Sequence, residues 1–371
     1  MHDSERLDLP SASEAYARRR CLGRTALIRQ LRNAGKLQPP PESDDAKSGT
    51  QVHQAWASGN DNGLSSSQRN TLDSLIRIEK LVVANWAGGE PYSLLSREDR
   101  LWLHKGLEPI HSGRYDVAYV SLNRKRMLII DGKTLYGQVE AADTNDQLRE
   151  LVALCRHNFP GIEEFTVAIV QPNVPGGISI AAYDALESEL ALRLLRQHLE
   201  DIKDPYHQRN PGPYCKFCPA ALQCPQMRGT IYTVADTIKG IQAGDFDLPL
   251  GPRGALLLAR IKLAKPLLDL FESAYKAALE EDPGAVPNWR LREGKNVRRI
   301  SDIKTAWQVA HVRGMELDAF LESVELSVGK LEAAYGQIAQ AKGKALTQKF
   351  NQAFEPVIER QQYAPELEET K

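Results

Sequence analysis

The sequence lacks any run of about 18 apolar residues, the length that a membrane-spanning helix requires. It opens on a polar stretch, MHDSERLDLP, that has no apolar segment of the kind found in secretory signals. Its 371 residues carry a net charge of only −1, so any nucleic-acid contact would depend on local clusters of arginine and lysine. These absences predict a cytoplasmic protein with no membrane partner, and the length predicts two or three domains.

Cysteine is also scarce: five residues in a reducing compartment argue against a disulfide framework. Three of them nevertheless lie close together, at Cys215, Cys218 and Cys224, in a loop rich in proline and glycine. Thiolates at such short spacing chelate soft metals, and Cys21 is the candidate for a fourth ligand. Cys155 lies on the apolar side of a predicted helix and is interpreted as a buried core residue.

Two kinds of centre fit these cysteines. An iron–sulfur cluster would be held by four cysteine thiolates. Structural zinc could instead be held by the three clustered cysteines together with His207, eight residues before Cys215. The spacing by itself leaves both alternatives open.

The spacing of apolar residues predicts an α/β core with a mixed sheet flanked by helices. Residues 115–122 and 126–133 predict a hairpin, and residues 164–172 predict a strand apolar enough to lie centrally in a sheet. Helices are predicted over 11–34, around 49–53, and over 67–84, 144–158 and 181–203. Later helical patterns cover 254–281, SDIKTAWQVAHVR and 326–360. We therefore predict two domains, 1–232 and a mainly helical 233–371.

Acidic residues and a lysine mark the predicted hairpin. Asp116 lies at the start of its first strand, and Asp131-Gly132-Lys133 ends the second, so the two carboxylates can be neighbours across the ladder. Because Asp131 and Lys133 are two residues apart, both side chains point to the same face. Neighbouring carboxylates repel unless a cation lies between them, and Mg²⁺ or Mn²⁺ suits such a site. Gln147, at the start of the next helix, can hydrogen-bond to this group.

Read in chain order, these residues form a series of motifs. A G-x-x-x-H motif spans Gly49–His53, G-x-x-D spans Gly113–Asp116, and D/E-x-K spans Asp131–Lys133. A Q-x-x-x-Y-type motif begins at Gln147, with Leu151 in place of the tyrosine. One early cysteine and a late C-x2-C-x5-C complete the series. The series resembles the RecB-type nucleases of the PD-(D/E)xK superfamily, specifically the iron–sulfur subgroup that includes AddB and the CRISPR-adaptation exonucleases.

The resemblance implies a restriction-endonuclease-like core and a role for each motif residue. His53, Asp116 and Asp131 would bind Mg²⁺ or Mn²⁺, with help from a backbone carbonyl near Gly132. Lys133 would be the catalytic lysine. Gln147 would act with it, positioning either Lys133 or the DNA; the missing tyrosine weakens the DNA-contact role of that helix.

The resemblance also favours a [4Fe–4S] cluster over zinc. Its ligands would be the four cysteines other than Cys155, namely Cys21, Cys215, Cys218 and Cys224. The cluster would thereby join the two ends of the nuclease domain. A phage and prophage branch of the superfamily, catalogued as a domain of unknown function, is the most similar, through Ser11, Ser13 and the stretch Trp289–Arg298.

These expectations describe a metal-dependent deoxyribonuclease, expected to be an exonuclease, that acts on single strands or duplex ends in recombination, repair or replication. The segment GQIAQAKGKALT has the wrong glycine spacing for a Walker A motif. A helicase, recombinase or annealing partner would therefore be a separate chain. The alternatives are a non-catalytic DNA-binding module that retains the nuclease fold, and a zinc-stapled protein of other function.

Overall fold

A computed structural model describes residues 9–37, 44–134, 137–241, 250–287 and 289–291, together with a few short later stretches. The chain forms two compact units, Met1–Asn296 and Val297–Lys371. In the second unit, aromatic rings pair Trp307 with Phe320 and Tyr335 with Phe350. The first unit contains the whole sheet and every predicted site residue.

A five-stranded mixed sheet in the order β1-β2-β3-β4-β5 forms the centre of the first unit. Its strands are β1 (Tyr92–Lys105), β2 (Glu108–Ser121), β3 (Arg126–Gly132), β4 (Glu164–Val170) and β5 (Ile178–Tyr183). Only the β3–β4 pair is parallel; the others are antiparallel. The predicted α/β architecture, a mixed sheet flanked by helices, is confirmed.

Eight α-helices of this unit are described. They are α1 (Ala15–Arg20), α2 (Gly23–Asn33), α3 (Asp44–Ser58), α4 (Ser66–Ala87), α5 (Asp146–Asn158), α6 (Ala185–Asp201), α7 (Pro225–Ile241) and α8 (Gly251–Glu281). Their starts follow local chemistry: Ser65 and Asp184 form capping boxes, and Asn145 accepts a hydrogen bond from the backbone of Leu148.

The sheet separates two apolar layers because alternate residues of each strand face opposite sides. On one side, α5 and α6 cover Met127, Ile129, Phe165 and their neighbours. On the other side, α3 and α4 cover the alternate residues of β3 and β4, including Leu128 and Ile130. The central strands β3 and β4 are therefore buried on both faces, as their continuous apolar sequences predict.

Two strands were not predicted, and both lie at the edges of the sheet. The apolar pattern of β1 is interrupted by the charged stretch Ser96–Arg100, and β5 alternates exposed and half-buried positions over only six residues. The predicted start of a helix at residue 181 is wrong, because residues 178–183 pair with β4. Edge strands bury only part of their surface, so their sequences carry weaker patterns.

The predicted helix over 11–34 is interrupted at Cys21, whose backbone adopts φ −136° and ψ 82°. Helix α2 starts at Gly23, where a Cβ would lie 2.3 Å from the carbonyl oxygen of His207. This later segment packs directly against the start of α2, beside the break, and the Gly23 backbone N–H donates to the Gln208 carbonyl oxygen at 3.4 Å. The prediction that Asp116 begins a strand is also wrong, since β2 starts eight residues earlier, at Glu108.

The described part of the region after the cysteines contains α7, α8 and two further helices, Leu317–Glu322 and Gly343–Phe354, with turn and loop residues at 282–287 and 289–291. Helix α7 crosses residue 232, and the domain boundary placed there stays a prediction. Most of Trp289–Arg298, SDIKTAWQVAHVR and 326–360 lies outside the described residues. Among the described helices, none combines the length and the apolar character needed to cross a membrane.

Candidate functional site

Three side chains from three elements meet on the α3 side of the sheet. His53 projects from α3, and its Nδ1 atom lies 3.3 Å from Asp116 Oδ1 on β2 and 3.6 Å from Glu98 Oε1 on β1. One potential ligand atom from each residue lies within 4.8 Å of the other two. Among the described residues, this is the group whose geometry can hold a metal ion.

Sequence reasoning missed Glu98. It lies within β1, which was itself not predicted, and its backbone has φ +50°, in the left-handed region that non-glycine residues rarely adopt. The register of β1 on β2 is irregular near this residue, between Leu94 and Ser96. A strained carboxylate residue facing a histidine and a second acid is typical of a functional position. The pattern of LWLH after it could have indicated the strand, but not the conformation of Glu98.

The packing of α3 against β3 requires a glycine at position 132, between Asp131 and Lys133. A Cβ at this position would lie 2.7 Å from Cζ3 of Trp56, which belongs to the same helix as His53. The Gly132 backbone N–H donates to Asp116 Oδ2 at 2.6 Å. The absence of a side chain thus lets α3 approach β3, and the bare backbone then holds the Asp116 carboxylate towards His53.

A second set of contacts joins Asp131, Lys133 and Gln147. Lys133 Nζ lies 2.7 Å from Asp131 Oδ2 and donates to Gln147 Oε1 at 3.0 Å. The amide of Gln147 donates to Asp131 Oδ1 at 2.8 Å. The structure therefore holds Asp131, expected from the resemblance to be a metal ligand, against the lysine and the glutamine, while Glu98 lies beside His53 and Asp116.

The two sets influence each other electrostatically. Burial opposes a charge on His53, but Asp116 and Glu98 outweigh it and raise the pKa of His53 to about 10. Burial also opposes the charge on Asp116, but His53 and Lys133 lower the pKa of that carboxyl. The pKa of Asp131 is raised by burial and by the charge of Asp116, despite Lys133. The carboxylates therefore attract positive charge, which in the absence of a metal is supplied by His53 and Lys133.

These donors fit a divalent ion, because an imidazole and two carboxylates are close enough to share one centre and the local field favours a cation.

Two arginines lie beside this group. Arg114 Nε lies 3.0 Å from Glu98 Oε2, and the Arg114 side chain is 48% exposed. Arg100 pairs with Arg114 across the β1–β2 ladder, and its pKa is lowered by burial and by the charge of Arg114.

The four cysteines assigned to a cluster line one pocket. Cys21, Cys215, Cys218 and Cys224 share it with Arg24, Arg209, Asn210 and Tyr214, and His207 is not among the residues that line it. Two hydrogen bonds fasten the end of α1 to the late segment: Tyr214 Oη and Asn210 Nδ2 each donate to the Arg20 carbonyl oxygen at 3.3 Å. Cys155 is fully buried in the core beneath α5, as predicted.

Comparisons with known proteins give a family and two distant structural likenesses. A family model described as "Protein of unknown function (DUF2800)" matches residues 89–370. No curated protein matches the sequence. The solved structure of the protein SSO0001 is 14% identical, covering 59% of this chain and 86% of that one, with a TM-score of 0.30. A candidate exonuclease from Eubacterium rectale is 10% identical, covering 66% of this chain and 91% of that one, with a TM-score of 0.35.

Proposed function

The chain belongs to the family described as protein of unknown function (DUF2800), and we propose that it is a metal-dependent deoxyribonuclease that hydrolyses phosphodiester bonds in DNA. One observation carries it: His53, Glu98 and Asp116 form a group that can hold a metal, and Asp116 is electrostatically coupled to the Lys133 ammonium beside it.

The group would hold Mg²⁺ or Mn²⁺, which supplies Lewis-acid polarisation of a phosphate and lowers the pKa of a water molecule. His53, with its raised pKa, would lose its proton when an ion binds, because a metal ligand must offer a lone pair. Glu98 and Asp116 would supply oxygen ligands. Asp131 would hold Lys133 in place. As the resemblance implies, it would also be a further ligand of the metal ion.

Lys133 would stabilise negative charge on the phosphate. Burial opposes its charge, but Asp131 and Asp116 raise its pKa, so the amine stays protonated at neutral pH. The contacts with Asp131 and Gln147 fix the position of the ammonium before any substrate arrives. A charged group that is already oriented does not have to reorganise as charge develops, and such a group contributes strongly to catalysis. The preference for an exonuclease rests on the resemblance to RecB-type enzymes.

We also propose that the cysteine pocket holds a [4Fe–4S] cluster rather than zinc. A tetrahedral zinc with bonds of about 2.3 Å holds its sulfurs about 3.8 Å apart. Within the described part of the chain, the cysteines do not form a group of three with ligand atoms inside 4.8 Å, although four of them line one pocket. The thiols are therefore not at the spacing of a zinc site in this structure, and the preference for a cluster rests on the resemblance to the iron–sulfur subgroup. Burial and the neighbouring thiols raise the pKa of Cys215 to about 11, so a positive centre would be needed to keep the Cys215 thiolate ionised at neutral pH.

A nuclease assay tests the function. Protein purified without oxygen would be incubated with Mn²⁺ and labelled single-stranded or duplex DNA carrying blocked 5′ or 3′ ends. We expect Lys133→Ala to lower the cleavage rate by about 10²-fold to 10³-fold, the usual cost of losing one oriented charge at a reacting group. Lys125→Ala is the matched control, because Lys125 is exposed in the β2–β3 turn and pairs with Glu163.

Equal rates for wild type and Lys133→Ala would show that the activity does not come from this site. The favoured alternative would then be a DNA-binding module that keeps the nuclease fold. Binding of DNA without any metal-dependent cleavage, under every combination of ends and metals, would give the same answer. A block at one end that stops digestion would in turn assign the polarity of an exonuclease.

A further inference from the structure

Three consecutive arginines end helix α1 immediately before Cys21, and they contact acidic residues on the first two turns of α5. Arg18 pairs with Glu150. Arg20 Nη1 lies 2.7 Å from Asp146 Oδ2. Arg19 Nε lies 3.5 Å from Asp146 and 3.6 Å from Glu150. Cys21, which lines the cysteine pocket, therefore directly follows three arginines that form ion pairs with α5.

The contact between the end of α1 and the start of α5 is buried at its centre. The side chains of Arg18 and Glu150 are completely inaccessible to solvent, and so is His111, whose Nε2 atom lies 3.2 Å from Glu150 Oε2. Arg18 also donates to the carbonyl oxygen of Ser11 at 2.9 Å. A buried ion pair is costly unless its geometry is well defined, so this arrangement fixes the position of one helix on the other.

The part of α5 that pairs with these arginines also carries Gln147, a residue of the candidate site. Gln147 lies between Asp146 and Glu150 in sequence, and its amide bonds both Lys133 and Asp131. A shift of the first turn of α5 would move that amide away from both side chains. The arginine run thus connects the cysteine pocket to Lys133 through Asp146, Glu150 and Gln147, all on one helix.

We propose that Arg18, Arg20, Asp146 and Glu150 are positioning residues that couple the cysteine pocket to the orientation of Lys133. Closing the pocket around Cys21 holds the end of α1, and the charges at that end hold the start of α5. The effect on cleavage rests on the proposed nuclease function. The mechanical coupling between the pocket and α5 does not, and it can be measured without activity.

Hydrogen exchange in the protein purified without oxygen, with no Mg²⁺ or Mn²⁺ added, measures the coupling directly. We expect Asp146→Asn and Cys21→Ser each to raise the exchange rate of backbone amides in the first turns of α5, with α6 unchanged. The matched control is Glu189→Gln, which removes a partner of Arg156 near the other end of α5 and should leave the first turns as in wild type. Wild-type exchange there in Cys21→Ser would overturn the proposal, and so would an equal effect of Glu189→Gln.

Kinetics add a second readout. A misplaced catalytic group can cost up to about 10²-fold in rate, so we expect a lower kcat with little change in KM for both variants. If one path carries both effects, the double variant Cys21→Ser/Asp146→Asn is no slower than the slower single variant. Additive losses would overturn the coupling. If Cys21→Ser does not fold, Tyr214→Phe replaces it in both measurements, because Tyr214 Oη bonds the Arg20 carbonyl oxygen beside Cys21.

Discussion

At the scale of single residues, Glu98 connects the candidate centre to the half-exposed side chain of Arg114. Glu98 holds a left-handed backbone conformation and contacts both His53 and Arg114. A metal that takes up the charge of Glu98 weakens the hold of this carboxylate on Arg114. The guanidinium, half exposed and opposite Arg100, can then present its remaining donors to a phosphate of the DNA backbone.

Removing Arg114 should therefore weaken DNA binding. We expect Arg114→Ala to lower affinity for all sequences alike, because phosphate contacts carry no base information. The slope of log affinity against log salt concentration should also fall by about 1. The measurement is fluorescence anisotropy of a labelled oligonucleotide in Ca²⁺. Arg193→Ala, on the exposed face of α6, is the control, and an unchanged salt slope in Arg114→Ala would contradict a phosphate contact.

At the scale of elements, α5 contacts both the sheet and helix α1 near the start of the chain. Its apolar face packs under the sheet, its first turn supplies Gln147, and its buried acid Glu150 binds Arg18. Burial opposes the charge on Glu150, but Arg18 and His111 outweigh it and lower the pKa of Glu150 from 4.5 to about 2. Because the pKa in the folded state is the lower one, this charge stabilises the protein above about pH 4.5, and the stabilisation is lost as the pH falls towards 2.

Glu150→Gln should consequently cost stability at neutral pH and less in acid. A pKa lowered by this amount corresponds to about 3 kcal/mol of unfolding free energy at pH 7, of the same order as breaking a buried pair. Thermal unfolding at pH 7, pH 5 and pH 3 would show the difference from wild type shrinking only in the last step. Glu189→Gln, half exposed, should show little difference at any of these pH values. A constant difference for Glu150→Gln would mean that its effect is one of packing.

At the scale of the whole first unit, α8 supports the cysteine segment. Leu267, Leu270 and Phe271 of α8 pack in one cluster with Leu27 and Ile28 of α2 and with Cys218 and Cys224. The pocket itself is lined by residues near the start of the chain and by the late segment, and α8 packs behind two of its cysteines. A metal centre there would hold together segments that are almost 200 residues apart in sequence, and its retention should depend on α8.

Two adjacent leucines test this dependence. Leu267 is 2% exposed and Leu268 is 54% exposed. Leu267→Ala should cost about 2–5 kcal/mol, as large-to-small changes in cores do, and should lower the iron and sulfide retained after anaerobic purification. Leu268→Ala should change neither. Wild-type protein with stoichiometric zinc and no iron would contradict the cluster, and full iron retention in Leu267→Ala would contradict the supporting role of α8.

The sequence by itself determined the local elements around the site. Continuous apolar runs define β3 and β4, and the Asp131-Gly132-Lys133 spacing places an acid and a lysine on one face at the end of a strand. The burial of Cys155 follows from the apolar periodicity of α5. Such features depend on residues a few positions apart, and the 2.0 and 3.6 residue periods report them directly.

Only the tertiary structure decided which side chains meet. Glu98 joins His53 and Asp116 because β1 adds to the edge of the sheet with an irregular register, and no local pattern encodes that pairing. The same holds for Arg18 with Glu150, which are 132 residues apart, and for the close approach of His207 to Gly23. These contacts are set by the packing of segments distant in sequence, where each partner's own sequence carries no trace of the other.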